Sequence, residues 1–317
     1  MKKLMLCLLG LALFSCSTNE EEMATESVAT VAHRNCPSEE LLKEKLKADP
    51  QWALRLNQME KKVGEPIDLS RFKLVNGKIV IPVVVNVLYR TAAENISQAQ
   101  IQSQIDVLNK DFNATNSDFG NVPALFSSVK ANVGISFELV TINRKSSTKT
   151  SWGTADAMKK TASGGLNPTS PTTHLNMWVC TIGSGILGYA QFPGGASATD
   201  GVVVDSKYFG STGTATAPFN LGRTATHEVG HWLNLRHIWG DTTCGTDYVN
   251  DTPTHNTANY GSPSYPHYST CSGTPVEMTM NYMDYVNDAA MYMFTNGQKA
   301  RMLSLFSSGG SRYSFAQ

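Results

Sequence analysis

The residues with the clearest capacity for chemistry lie in one short segment, residues 227–237, which reads HEVGHWLNLRH. Two histidines four positions apart, His227 and His231, fall on one face of a helix, so both imidazoles can bind a single metal ion. Glu228 can reach a water molecule on that ion without binding the ion itself. His237 supplies a third imidazole, and three such ligands with one open position are typical of a catalytic zinc site. We therefore predict zinc-dependent hydrolysis with Glu228 as the general base, because zinc lowers the pKa of water towards neutrality.

A sharp turn must separate the second and third histidines, because a straight helix would carry His237 away from the other two. Such a turn needs a residue with positive φ, and motifs of this class usually place glycine there. Asn234 stands at that position in this chain, and asparagine tolerates the left-handed conformation better than most residues do. We therefore expect the helix to end close to Asn234. The alternative interpretation is a helix with two exposed histidines and a third histidine elsewhere.

The composition argues against a nucleic-acid-binding protein. The chain has 317 residues, and 26 Lys+Arg balance 26 Asp+Glu. Binding to phosphate requires a clustered excess of basic side chains, which this balance does not supply. A hydrophobic fraction of 41% is typical of a globular protein. We therefore expect no nucleic-acid partner and a folded chain.

The N-terminus has the features of an export signal. Lys2 and Lys3 precede an apolar run over residues 4–14, which is too short to span a membrane and has the length of a secretory signal. The run ends in Leu-Phe-Ser-Cys, which resembles a bacterial lipobox with Cys16 as the lipidated residue. The alternative is a plain signal peptide with a chance cysteine. Either interpretation predicts an exported protein, which is lipid-anchored in an envelope membrane or secreted after processing, and which meets membranes only through that anchor.

The charge density divides the rest of the chain in two. Residues 17–70 contain 18 charged residues among 54, whereas residues 71–317 contain 32 among 247. We therefore predict a lipoprotein-type signal peptide over residues 1–15, a tether and pro-segment over residues 16–70, and a catalytic domain over residues 71–317. A helix is expected over residues 39–47, with Ser38 as its N-cap.

Hydrophobic periodicity predicts the main elements of the catalytic domain. The expected strands are Lys78–Tyr89, residues 133–140, residues 175–181 and Val202–Asp205, and the expected helices are residues 97–112 and 295–306. Ser97 with Gln100 and Thr295 with Gln298 form capping-box patterns. Residues 240–290 show little regular periodicity. This order of elements favours an α+β fold with a mixed twisted sheet backed by helices.

The zinc segment resembles the metzincin motif, and residues 281–285 (NYMDY) resemble the Met-turn of the pappalysin (M43) metallopeptidases. Further agreement comes from the sequences LGYAQFP at 187–193, DTP at 251–253 and MYMFTNGQ at 291–298. The resemblance covers residues 75–310. It implies a metzincin-like catalytic domain, with the sheet, the backing helices and the zinc-binding helix above the cleft. The half below the cleft would be mostly irregular and would carry a C-terminal helix.

The resemblance also implies roles for individual residues. Met283 would form an apolar floor beneath the zinc, and Tyr285 would stabilise the oxyanion of the tetrahedral intermediate, the alternative being a packed aromatic. Gly188, Tyr189 and Ala190 would form the edge strand that binds an extended peptide or protein substrate. The resemblance thus indicates a zinc endopeptidase that is monomeric when mature. The alternative is a non-catalytic zinc-binding surface lipoprotein of the same fold, in which loss of Glu228 or a histidine would be expected.

Further implications of the resemblance concern the irregular half. Cys244 and Cys271 match a disulfide of the family, whereas Cys180 lies in an apolar strand and is expected to be a buried free thiol. Calcium near the active site is a feature of these enzymes, and Asp247 and Asp251 are the best oxygen donors for it here. The alternative is a solvated loop that contains two acids.

Latency and specificity complete the expectations. Pappalysin pro-segments carry a cysteine near a basic residue, and Cys36 in the segment RNCP matches this cysteine. The resemblance implies that the Cys36 thiolate binds the zinc and keeps the enzyme inactive until activation. The alternative is a stray or disulfide-bonded thiol. Activation would require a cut after the pro-segment, with Ser70–Arg71 as a candidate bond. Several relatives cut before Arg or Lys through an acidic residue in the S1′ pocket. Ala289, which has no carboxylate, aligns with that residue, and the neighbouring Asp288 is the alternative acid. The substrate preference is therefore open.

Overall fold

The computed structural model of the protein describes residues 33–65, 72 and 74–316. The signal peptide, Cys16 and the candidate activation bond at residues 70–71 therefore lie outside the described residues. Among the residues that are described, no helix is both long enough and apolar enough to cross a membrane.

Two short helices lie in the described part of the predicted pro-segment, residues 16–70, which keeps that name below. Helix α1 spans Ser38–Ala48 and helix α2 spans Pro50–Glu60. Asp49 caps α2 by accepting hydrogen bonds from two backbone N–H groups of its first turn. The prediction that Ser38 caps α1 is wrong, because α1 has no side-chain cap and the Ser38 hydroxyl binds Glu228 and Ala190 in the catalytic domain instead.

Six strands of the described chain form one mixed sheet. The strands are β1 (Leu74–Val75), β2 (Lys78–Tyr89), β3 (Ile135–Ser146), β4 (Leu175–Cys180), β5 (Gly188–Ala190) and β6 (Val202–Asp205). Strand β2 pairs in parallel with β3 and β4, and β4 pairs in parallel with β6. Strand β5 is antiparallel to β6 and lies at the end of the strand order β1-β2-β4-β6-β5. The expected mixed sheet is therefore confirmed, with β5 at its edge.

The described residues of the predicted catalytic domain contain three α-helices: α3 (Gln98–Phe112), α4 (Arg223–Trp232) and α5 (Asn296–Ser304). Ser97 caps α3 by accepting from the Gln100 N–H, but the Gln100 side chain binds the carbonyl of Phe209, so only half of the predicted capping box forms. The second capping box, between Thr295 and Gln298, is complete. Strand β3 runs six residues beyond the predicted end at residue 140, because its partially exposed outer half lacks the apolar alternation on which the prediction depended.

The half of the domain that follows the zinc segment is largely irregular, as expected. Its described residues contain α5 and short 3-10 turns, such as Asp288–Ala290. One apolar cluster nevertheless extends from the pro-segment through the sheet into this half, and includes Trp52, Val83, Trp232 and Met283. The pro-segment, the sheet and the irregular half therefore share one core.

Candidate active site

Helix α4 carries the first two histidines, and all of its residues are buried. Asn234, two residues after the helix ends, has φ of 71° and turns the chain back towards the helix, as the sequence predicts. Gly230 allows close packing on the opposite half, because a Cβ there would lie 2.5 Å from the Met283 sulfur. Helix α4 is therefore seated directly on the predicted Met-turn.

The three histidines converge on one point. His231 Nε2 lies 3.2 Å from His227 Nε2 and 3.1 Å from His237 Nε2. Each Nδ1 faces an acceptor. His227 Nδ1 lies 2.7 Å from the Tyr282 carbonyl, His231 Nδ1 lies 2.8 Å from the Leu235 carbonyl, and His237 Nδ1 lies 2.7 Å from Asp241 Oδ1. Since each proton is therefore held on Nδ1, three Nε2 lone pairs point at one another. This arrangement is repulsive without a cation between the rings, so the donor set fits zinc.

The pKa values of the imidazoles differ according to their surroundings. Burial, reinforced by the neighbouring histidines, holds the pKa of His227 and of His231 well below the usual value. Burial also acts to lower the pKa of His237, but the Asp241 carboxylate outweighs it and raises that pKa. The first two rings are therefore neutral, as metal ligation requires, and the third is oriented by a carboxylate.

Cys36 of the pro-segment lies with the histidines. The ligand atoms of all four residues lie within 4.8 Å of one another, and all four residues are buried. The Cys36 sulfur also lies 3.2 Å from Glu228 Oε2 and 3.0 Å from the Ser38 hydroxyl. Three imidazoles and one sulfur complete a four-donor set, which is the number that zinc prefers.

Glu228 lies beside the histidines at the same depth. Burial raises the pKa of its carboxyl to about 7. Oε2 accepts hydrogen bonds from Cys36 and Ser38, whereas Oε1 has no partner among the described residues. The carboxylate therefore has one oxygen covered by the pro-segment and one oxygen still able to accept a proton.

Tyr285 approaches the histidines from the irregular half. Its ring packs against His237 and Trp239, with centroids 4.9 Å and 4.6 Å away. Its hydroxyl donates to the Cys36 carbonyl at 2.6 Å and accepts from the Cys36 N–H at 3.2 Å. The residue is packed, as the alternative interpretation holds, but its hydroxyl also binds a main-chain carbonyl next to the histidines.

The pro-segment follows the edge strand β5. The Leu187 N–H donates to the Asn35 carbonyl at 3.0 Å, and the Ala190 N–H donates to the Ser38 hydroxyl at 2.9 Å. Both partners advance together along the sequence, so the pro-segment runs parallel to β5. Gly188 permits this strand to lie close to the base, because a Cβ there would lie 3.0 Å from Glu228 Cγ.

Arg34 is the basic residue of the RNCP segment, and it is buried in a pocket that was not predicted. Its guanidinium donates to Asp288 Oδ1 at 2.6 Å and to the Thr224 hydroxyl at 3.2 Å, while Nε donates to the Val286 carbonyl at 3.3 Å. Asp288 Oδ2 accepts in turn from the N–H groups of Leu221 at 2.8 Å and Arg223 at 3.2 Å. The position of Arg34, two residues before Cys36, was the signal available in the sequence.

The remaining predicted residues lie in the irregular half. Cys244 and Cys271 form a disulfide, and Cys180 is a buried free thiol. Asp251 binds the start of α5, where it accepts from the Thr295 hydroxyl at 2.7 Å and the Gly297 N–H at 2.8 Å. Asp247 accepts from the Thr252 hydroxyl and the Val249 N–H. Both acids are thus engaged within the chain, and calcium binding by them stays a prediction.

Comparison with known proteins agrees with this geometry. Residues 171–307 match the peptidase M43 family, described as pregnancy-associated plasma protein-A. An extracellular metalloprotease of Verticillium alfalfae is 33% identical over 238 residues, which cover 70% of this chain and 77% of the relative. An extracellular metalloprotease of Arthroderma benhamiae is 31% identical over 231 residues, which cover 71% of this chain and 76% of the relative.

Solved structures of mirolysin are similar in fold and sequence. A complex of mirolysin with a small compound has a TM-score of 0.73 and 44% identity, and covers 76% of this chain and 96% of that one. A promirolysin mutant from Tannerella forsythia has a TM-score of 0.81 and 40% identity, and the match covers 89% of this chain and 97% of the promirolysin chain. The precursor therefore matches a larger share of this chain than the mirolysin complex does.

Proposed function

This chain belongs to the M43 family of zinc metalloendopeptidases, and from that premise we propose that it is an exported protease made as a latent precursor. It is an enzyme of the metzincin type that hydrolyses peptide bonds. One observation carries the latency: the Cys36 sulfur lies within the cluster formed by the three histidines. The proposed organisation is a signal peptide over residues 1–15, a tether and pro-segment over 16–70, and a catalytic domain over 71–317 that is monomeric when mature.

The catalytic roles follow from the positions of the side chains. Zinc held by His227, His231 and His237 would polarise the scissile carbonyl and lower the pKa of the attacking water. Glu228 accepts the proton of that water and donates it to the leaving amine. The Tyr285 hydroxyl donates a hydrogen bond to the developing oxyanion. Its contact with the Cys36 carbonyl supports this role, because that carbonyl is a main-chain group held beside the histidines.

The pro-segment covers each part of this machinery. Cys36 lies at the histidines, Ser38 binds Glu228, and the Ser38 hydroxyl and the Asn35 carbonyl accept from the edge of β5. A thiolate at Cys36 would take the position that the attacking water needs. Because Asn35 and Ser38 accept from the N–H groups of Leu187 and Ala190, the pro-segment occupies the strand edge that a substrate would use. These contacts support a precursor that stays inactive until the pro-segment is removed.

The pocket filled by Arg34 supports a preference for arginine in the substrate. It has a carboxylate, a hydroxyl and a carbonyl placed around one guanidinium, and Arg34 is 2% exposed there. Ala289 has no carboxylate and is exposed, whereas Asp288 is buried and binds Arg34, so Asp288 is the candidate acid of the S1′ pocket. Removal of the pro-segment would leave this acid ready to bind an arginine that follows the scissile bond.

Export is supported by the names of the relatives, which are extracellular metalloproteases. Lipid attachment at Cys16 and release by a cut at residues 70–71 remain proposals. A Cys16→Ser variant, expressed with a radiolabelled fatty acid, should lose both the label and its attachment to membranes. Label retained in that variant would rule out Cys16 as the lipidated residue.

The test of latency compares two buried free thiols. Full-length Cys36→Ala should process itself early and cleave casein, because the histidines no longer bind the pro-segment through sulfur. Cys180→Ala is the matched control and should stay as latent as the unmodified precursor. Latency of Cys36→Ala equal to that of the precursor would rule out the switch.

A further inference from the structure

Four charged side chains in the described part of the pro-segment pair with opposite charges on the catalytic domain. The buried or partly buried pairs are Arg34–Asp288, Glu39–Arg236, Lys45–Asp156 and Glu60–Arg301. The first of these pairs occupies the arginine pocket described above. The second pair lies on the other side of Cys36 and has no role in the function proposed so far.

Arg236 faces the cleft directly beside the zinc-binding residues. It precedes His237, and its Nη1 donates to Glu39 Oε2 at 2.5 Å. The guanidinium lies over the Phe192 ring at 5.3 Å and near the Tyr248 ring at 5.7 Å. A cavity of about 400 Å³ adjoins it. Its side chain is 20% exposed in the precursor, and its Nε has no partner among the residues that the structure describes.

Glu39 reaches this guanidinium from the part of the pro-segment that follows the strand edge. The neighbouring Ser38 hydroxyl accepts from Ala190 of β5, and Glu39 follows it in the first turn of α1, so the Glu39 carboxylate lies beside the strand edge that would bind the substrate. When the pro-segment leaves, Arg236 loses its carboxylate partner. Asp241 is close but already accepts from His237 Nδ1. A partly buried guanidinium without an anion is unfavourable, so the cleft gains a site for a carboxylate.

We propose that Arg236 binds an acidic side chain of the substrate. Arg34 and Glu39 lie on opposite sides of Cys36, so this acid would lie on the opposite side of the scissile bond from the residue in the Asp288 pocket. The preferred substrate therefore carries Asp or Glu before the bond as well as a basic residue after it. This inference rests on the proposed function, because it requires the pro-segment to leave.

The experiment uses the full-length, zinc-loaded chain after proteolytic activation. Peptide pairs differ only by Glu or Gln at each of the four positions before the scissile bond. At one position, kcat/KM should favour Glu by about three- to tenfold, as a charge-assisted contact in a partly exposed site allows. Arg236→Gln should reduce that ratio to about one by lowering kcat/KM for the Glu peptide, and Arg236→Glu should favour a third peptide that carries Lys at that position.

Arg90→Gln is the matched control, because Arg90 is a 45% exposed arginine that pairs with Glu94. It should leave the ratio unchanged. Zinc content measured for each variant separates loss of the subsite from damage to the neighbouring His237. Equal rates for Glu and Gln at all four positions in the unmodified enzyme would overturn the inference even if a variant fails to fold. Absence of cleavage of every peptide would overturn the proposed function, and the inference with it.

Discussion

The two halves of the cleft place their functional residues by different means. In the upper half, residues 74–235, the sheet and helices α3 and α4 fix the backbone through repeated hydrogen bonds. One helix there carries His227, Glu228 and His231. In the lower half, residues 236–316, individual side chains fix the main chain. Asp284 accepts from the N–H groups of Asn259 and Tyr285, and Asn281 accepts from that of Met283.

This difference has an energetic consequence. A regular element distributes its stability over many main-chain bonds, so the loss of one side chain at its surface removes a small share. An irregular segment depends on few contacts, and each buried polar group left without a partner costs about 1–3 kcal/mol. We therefore expect the loss of a structural side chain in the upper half to lower stability slightly and leave activity intact, and the loss of one in the lower half to lower both stability and activity.

The largest expected effect comes from α4. Glu228→Ala in the activated enzyme should lower the rate of peptide hydrolysis by at least about 10²–10⁴-fold while zinc stays bound. The substitution removes the general base but keeps all three zinc ligands. His231→Ala should instead lose the metal. Casein cleavage and metal content per chain distinguish the two outcomes. Proteolysis near the unmodified rate in Glu228→Ala would refute its role as the base.

The next effect concerns the disulfide of the lower half. It closes a loop of 27 residues, so replacing both Cys244 and Cys271 with serine should lower the free energy of unfolding by about 3–4 kcal/mol. Urea unfolding of the zinc-loaded protein measures this loss. Cys180→Ser is the control for changing a buried cysteine that forms no bridge. A double variant as stable as the unmodified protein would show that other contacts hold this half.

Tyr285→Phe tests the chemical contribution of the lower half. The ring and its packing remain, and one donor is lost, so kcat should fall by about 10–10³-fold with little change in melting temperature. The measurement is steady-state kinetics on one peptide. A raised KM at constant kcat would mean that the hydroxyl binds the substrate without assisting the transition state.

The smallest effects compare one hydrogen-bonding side chain from each half. Asn281→Ala should cost about 1–3 kcal/mol, because Gln298 and the Met283 N–H both lose a buried partner. Ser97→Ala should cost about 1 kcal/mol, the usual value for an N-cap. Activity should fall in the first variant and not in the second. Equal effects on stability and activity would contradict the difference between the halves.

Local chemistry allowed the sequence to determine much of the upper half. The spacing of His227, Glu228 and His231 defines one helix face whatever the rest of the fold does. Asparagine at position 234 marks a positive φ, which the structure has at 71°. Periodicity located β2 and α3 because their buried residues recur at regular intervals. The disulfide between Cys244 and Cys271 and the position of Tyr285 came from the family resemblance, since the irregular half has no periodicity to interpret.

Only the tertiary structure decided how the pro-segment is used. Ser38 has the sequence position of a helix cap, yet its hydroxyl binds Glu228 and Ala190, because the catalytic domain offers these partners across a long sequence separation. The contact of Arg34 with Asp288 spans 254 positions and leaves no local pattern. Local propensity and spacing record interactions within a few residues. The pairing of charged groups across the cleft depends on which distant segments of the chain pack against each other.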